Sequence, residues 1–204
     1  MGGIRKLAAV ELVERRLVFR NSKFEVFSDH IRDPSGREVR DYLVVAPLEK
    51  APAGVTGVAV LPIQEGAAVL LRMFRHPPRR PVLEVPRGFI DAGETPAVAA
   101  ARELREETGL LCRPEEMIPL GYCFPEAGIL AARVALFAAP DCKEADADEA
   151  GEPGLGETVR IPLSLIREQL ARMEFEETTT CVCLHRYMLA SESRLLLERD
   201  GGRE

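Results

Sequence analysis

The chain reads as an α/β protein with a small antiparallel sheet at its N-terminal end, and three observations lead there. Apolar runs of strand length recur at Gly57 to Leu61 and at Ala67 to Phe74. A helix carrying its own start and stop signals lies between Thr95 and Gly109. Two further helical patterns follow, from Pro162 to Met173 and from Glu177 to Leu189.

Taken in order, Leu17-Val18-Phe19 and then Phe24 to Ile31 alternate between two faces, Asp33-Pro34-Ser35-Gly36 turns the chain, and Glu38 to Val45 returns. Three strands of this size bury little by themselves. They need a covering surface, either the main domain or a second subunit. Gln64-Glu65-Gly66 breaks the two central runs as a hairpin would. Arg72, Arg75, His76, Arg79 and Arg80 then cluster ahead of Pro81. Arg79 and Arg80 read as a solvated basic loop and His76 as a structural or rim residue. Arg75 is close enough to the helix to meet a phosphate bidentately, with a solvated side chain as the alternative. Val82 to Pro86 is a strand leading to the helix.

In that helix Thr95 is the N-cap, Pro96 takes the first helical position, and Gly109 is the stop. Ala97, Ala101, Leu104 and Thr108 form one stripe suited to a core. Ile118 to Phe124 and Ile129 to Ala138 read as strands parted by Pro125-Glu126-Ala127-Gly128. Asp141 to Glu157 is acidic and rich in Gly and Ala, the composition of a mobile surface loop. The first C-terminal helix points Leu165, Ile166 and Leu170 inward; the second presents Val182, Tyr187 and Leu189, and the tail from Ser191 frays. Cys181 and Cys183 face different ways on that helix, and His185 reads as packed or surface.

Glu103, Glu106 and Glu107 stand at i, i+3 and i+4, so their carboxylates share one side of the helix. Like charges this close destabilise a helix unless a positive group sits among them. A hard divalent cation suits them, because Mg²⁺ takes carboxylate oxygens and keeps waters that a phosphate can replace. Arg102 can pair with part of the excess. A solvated acidic helix face is the alternative.

The surrounding residues bear on that choice. Gly88, Glu94, Arg102, Glu103, Leu104, Glu106, Glu107, Gly109 and Leu110 fill all nine specified positions of G-x5-E-x7-R-E-U-x-E-E-x-G-U, with U aliphatic. The stretch therefore resembles the Nudix box. Glu84-Val85-Pro86-Arg87-Gly88 resembles the E-(L/V)-P-x-G segment of the ADP-ribose pyrophosphatase branch, as does Pro125 beyond the box. The resemblance implies a Nudix α/β/α sandwich with a mixed central sheet over residues 55–204. It also implies an N-terminal antiparallel sheet over 1–54 that helps form a homodimer and the substrate rim.

By the same resemblance, the activity is metal-dependent hydrolysis of a nucleoside diphosphate-linked compound. ADP-ribose, cut to AMP and ribose 5-phosphate with Mg²⁺ (or Mn²⁺), is the leading substrate. Glu103, Glu106, Glu107 and the carbonyl of Arg87 would hold the metal. Gly88 suits that approach because it has no Cβ. Glu94 would support the metal-binding loop, or serve as a turn residue; Arg102 would orient the carboxylates, or make a helix-surface pair. Arg75, Glu84 and Glu126 would meet the substrate, Glu126 standing in for an acidic group where this chain has Leu130. Glu157 or Glu152 would act as base, although simple counting lands on Leu155.

The totals narrow the classes further. A net charge of −6 supplies no basic patch for nucleic acid. Five cysteines without a C-x-x-C pair argue against zinc and for reduced thiols in a cytoplasmic protein. The first sixteen residues are too charged for a signal segment, and no apolar run is long enough to span a bilayer, so a soluble protein is expected. Two other functions compete: a pyrophosphatase of another nucleotide sugar such as GDP-mannose, and a non-catalytic nucleotide-sugar sensor. Sensors of that kind usually have degraded boxes, whereas every box carboxylate is present here.

Overall fold

The structure, a computed structural model, describes residues 9–145 and 154–200. Two compact units make up the chain. One comprises Met1–Glu49 with Glu126–Ala132, the other Lys50–Pro125 with Arg133–Glu204.

The first unit is built on β1 (Glu11–Arg20), β2 (Phe24–Arg32) and β3 (Glu38–Pro47), antiparallel in that order. Its turns follow from short polar side chains. Asn21 accepts hydrogen bonds from the amides of Lys23 and Phe24, and Asp33 accepts from the amide and hydroxyl of Ser35. Arg15 forks onto the buried Asp29 at 2.9 and 2.7 Å and lies over the Phe27 ring. All of β1 is exposed, including Leu12, Leu17, Val18 and Phe19. The segment 126–132 joins this unit through Val45, whose amide donates to Ile129 and whose carbonyl accepts from Ala131. Tyr42 donates its hydroxyl to the Gly128 carbonyl at 2.7 Å. The strand expected from Ile129 to Ala138 is thereby divided. Residues 129–131 bond to β3, and the strand of the second unit begins only at Val134.

The second unit holds a seven-stranded sheet. Its strands are β4 (Gly57–Gln64), β5 (Ala67–Arg75), β6 (Arg80–Glu84), β7 (Arg87–Phe89), β9 (Ile118–Cys123), β10 (Val134–Ala139) and β12 (Leu155–Pro162). The order is β12-β5-β4-β10-β9, with β6 on β5 and β7 on β4. β10 runs parallel to β4 and the remaining pairs are antiparallel, so the sheet is mixed. β8 (Leu110–Leu111) and β11 (Lys143–Glu144) form a separate small ladder. Every residue of β4 is buried, as expected of a strand covered on both faces. Val58 and Val60 point into one core with Ala100, Leu104 and Phe137; Ala59 and Leu61 point into the other with Leu136, Ile166 and Leu184.

The helices α1 (Pro96–Thr108), α2 (Leu163–Ala171) and α3 (Thr178–Asp200) cover the two faces, giving the expected α/β/α sandwich. α1 begins as the sequence predicts: Thr95 Oγ1 accepts from the Val98 amide, and Gly109 ends the helix at φ 68°. Its buried row differs from the predicted stripe, being Ala100, Leu104 and Glu107 with Ala99 beside them. Ala97 and Ala101 lie at the margin of the contact, partly buried. The row turns because Glu107 is drawn inward by a backbone amide, described below. On α2 only Ile166 is buried and Leu165 is exposed. Among the described side chains of α3, Thr179, Thr180, Cys183 and Leu184 are buried, while Leu189 is exposed. α3 continues to Asp200 instead of fraying from Ser191, as no Gly or Pro interrupts it before Gly201. The predicted loop from Asp141 is shorter than expected at both ends, since β11 and β12 lie within it; residues 146–153 fall outside the described ones.

Candidate active site

Where β6 ends, Val85 and Pro86 carry the chain into β7, which lies against β4 and under α1. Gly88 sits at the centre of this crossing. The carboxylate of Glu103 occupies the space a Cβ on Gly88 would need, and Gly57 approaches so closely that its own Cβ would stand 2.8 Å from the Gly88 carbonyl oxygen. Glycine is required here by contact rather than by backbone angle.

Arg102 organises the acidic face of α1. Its Nε and Nη2 donate to the two oxygens of Glu94, each at 3.0 Å. Nη1 donates to Glu103 at 2.8 Å and to Glu106 at 3.1 Å, and Nη2 also reaches the Phe89 carbonyl. Glu94 in turn accepts from the Asp91 amide at 3.0 Å, which closes the loop ahead of the helix. The Arg102 hydrogen bonds hold the Glu94 carboxyl below the usual carboxylate range against the opposing effect of burial, and they raise Arg102 itself.

Glu107 is 8% exposed, and its Oε2 accepts from the Arg87 amide at 3.0 Å. The Arg87 amide thus joins this segment to the cluster, a contact the sequence reading did not include beside the metal role it gave the Arg87 carbonyl. Three carboxylates (Glu94, Glu103, Glu106) hydrogen-bond the Arg102 guanidinium, and Glu107 follows on the same helix, so carboxylates outnumber this cation. Among the described residues no three acidic, His or Cys side chains close into a finished cage. The donor set is nonetheless all hard carboxylate oxygen, and the Gly88 cradle lets Glu103 lie against the backbone; both suit a divalent ion of the magnesium type.

Below this cluster lies a second network. Glu84 is 1% exposed and accepts from Arg75 Nε at 2.7 Å and from Arg87 Nε at 3.0 Å. Both Glu84 oxygens therefore serve arginines. Arg87 Nη1 lies 3.5 Å from Glu177, a residue the sequence reading passed over. Glu177 Oε2 accepts from the amide and hydroxyl of Thr180 at 2.7 and 2.8 Å, capping α3. Burial would raise the Glu177 carboxyl, but Arg87 and the Thr180 hydrogen bonds outweigh it and hold it low. An acidic residue directly ahead of Thr178-Thr179-Thr180 was the available signal for that cap.

Glu157 lies on β12 rather than in a loop. It sits at a bulge where the register slips between Leu155 and Thr158, with its Oε1 accepting from Arg72 Nε at 3.1 Å. Gly154 and Gly156 permit this approach, since Cβ atoms there would stand 2.7 and 2.5 Å from carbonyl oxygens of β5. Glu152 lies outside the described residues. Glu126 belongs to the first unit, where its Oε1 accepts from the Gly128 amide. Arg79 and Arg80 are exposed, Arg80 beside Glu176. His185 is exposed and its ring hydrogen-bonds the Cys181 carbonyl. All five cysteines are free; burial pushes the Cys142 thiol up to about 12, which removes it as a nucleophile.

The family model for the NUDIX domain matches residues 53–154, and the chain belongs to the Nudix family. It is 28% identical over 113 residues to an ADP-ribose pyrophosphatase of Bacillus subtilis, covering 55% of this chain and 57% of that one. An ADP-ribose pyrophosphatase of Saccharomyces cerevisiae is 37% identical over 84 residues, 38% of this chain and 36% of that protein. The chain thus spans less than two thirds of these relatives, and its similarity is to the ADP-ribose pyrophosphatase-like branch. A crystal structure of an ADP compounds hydrolase superposes with a TM-score of 0.76 at 22% identity, covering 94% of this chain and 98% of the other.

Proposed function

We propose that this chain is a Nudix pyrophosphohydrolase that uses Mg²⁺, or Mn²⁺, to hydrolyse ADP-ribose or a related ADP-sugar to AMP and a sugar phosphate. The observation that carries the reading is the Arg102-centred cluster, with Glu103 on Gly88 and Glu107 on the Arg87 amide. Glu103, Glu106, Glu107 and the Arg87 carbonyl would hold the metal. A bound divalent ion supplies charge neutralisation for the pyrophosphate and acidifies an attacking water. Glu94 and Arg102 keep the carboxylates oriented; Arg75, held by Glu84, offers a guanidinium to the substrate, and Glu84 reaches it only through the arginines it carries. Glu157 is the exposed base candidate within the described residues, with Arg72 holding one of its oxygens. Glu126 and Glu152 keep the substrate and base roles the family resemblance gives them.

Replacing Glu107 with Gln is expected to lower kcat on the order of a hundredfold or more with the melting temperature held. The assay is product formation from ADP-ribose, ADP-glucose and GDP-mannose with Mg²⁺. Unchanged turnover in the variant overturns the metal assignment. Preferred cleavage of GDP-mannose overturns the ADP-sugar reading, and ligand binding without cleavage makes the chain a sensor.

The exposed apolar side chains of β1 support a homodimer formed through the N-terminal sheet. No helix among the described residues is long and apolar enough to cross a membrane, and the net charge gives no broad footprint for nucleic acid.

A further inference from the structure

One buried carboxylate, Glu84, anchors the two guanidiniums of Arg75 and Arg87. Both arginine side chains remain partly exposed, 26% for Arg75 and 31% for Arg87. Arg87 is steered from a second side by Glu177, whose other oxygen is fixed by Thr180 at the start of α3. These contacts engage Nε and Nη1 of Arg87. The amide of this same residue holds Glu107. Whatever the guanidinium binds is therefore within one residue's reach of the carboxylate cluster. Paired planar guanidiniums held from behind are suited to phosphate oxygens.

We propose that the Arg87 side chain, alongside Arg75, binds a phosphate group of the nucleoside diphosphate substrate, with Glu84 and Glu177 as positioning residues that aim it. This inference rests on the pyrophosphatase reading and assigns Arg87 a part played by its side chain, separate from its backbone contact with Glu107.

The test uses the full chain and the variants Arg87→Met and Glu177→Gln. ADP binding is measured by calorimetry with metal chelated, Mn²⁺ binding by electron paramagnetic resonance, and KM and kcat with ADP-ribose and Mg²⁺. Arg87→Met is expected to weaken ADP binding and raise KM about tenfold or more. Its kcat should stay within about threefold and its Mn²⁺ affinity should not move. Glu177→Gln is expected to raise KM by about threefold, and to add nothing in the Arg87→Met background. Unchanged ADP affinity and KM in Arg87→Met overturn the proposal, as does a loss of kcat at constant KM, or a wild-type chain that binds no ADP. If the wild type binds ADP but cleaves no ADP-sugar, a drop in ADP affinity on Arg87→Met upholds the phosphate site while the pyrophosphatase reading falls. Should Arg87→Met fail to fold, Arg87→Lys keeps the charge without the fork; an intermediate KM supports the proposal and a wild-type KM overturns it.

Discussion

Glu94 and Arg102 show how a pair of residues can link the acidic cluster to pH. The folded Glu94 carboxyl is held low by Arg102 foremost, so it titrates below its unfolded counterpart. Its contribution is fully present above the ordinary carboxylate range and is lost as pH falls through the lowered folded value. Glu94→Gln should therefore flatten the acid side of the stability profile, read by urea melts at neutral pH and in steps below about pH 4. An acid limb as steep as that of the wild type would count against the pairing. Most of this cluster was legible because Glu94, Arg102, Glu103, Glu106 and Glu107 sit at fixed spacing in and just ahead of one helix. Glu177 was not. It meets Arg87 only because α3 returns to the end of β6, and helical periodicity carries no trace of which loop a helix start will face. The hydrogen bond from the Arg87 amide to Glu107 was not legible either, since spacing locates a residue but not the partner of its backbone amide.

α3 is fastened to the sheet through its first turn. Thr180 is wholly buried; its hydroxyl donates to Glu177 and accepts from the Val85 amide at 3.0 Å. Thr180→Val keeps the shape but leaves that amide without an acceptor, at a cost of about 1–3 kcal/mol. Thermal melts should show a lowered Tm, and an unchanged one would show the contact to be dispensable. Elements were legible where their ends carry chemistry: Thr95, Pro96 and Gly109 bound α1 as the sequence predicts. They were less legible where tertiary partners decide. Residues 129–131 have strand character but spend it on Val45 of β3, and the α1 stripe turns toward Glu107 because a backbone amide waits there. β12 begins sooner than its acidic composition suggests, because Gly154 and Gly156 let it press on β5.

At the scale of the molecule, the mixed sandwich follows from runs such as β4, apolar on both faces, set among helices with one buried side. The sheet of the first unit is different, with β1 exposed throughout and carrying Leu17 and Phe19. If self-association covers it, light scattering after gel filtration should give twice the chain mass, and a Leu17→Lys, Phe19→Lys variant should give one. A wild-type monomer sinks the dimer. Neither composition nor patterning revealed that 126–132 completes this unit, since the whole stretch Lys50–Pro125 of the second unit lies between the paired segments. The order of synthesis then matters. The ribosome makes β1 to β3 early, yet their last partner emerges only after α1 and β9, so the amino-terminal unit cannot finish folding as a nascent chain until Ala132 has cleared the exit tunnel.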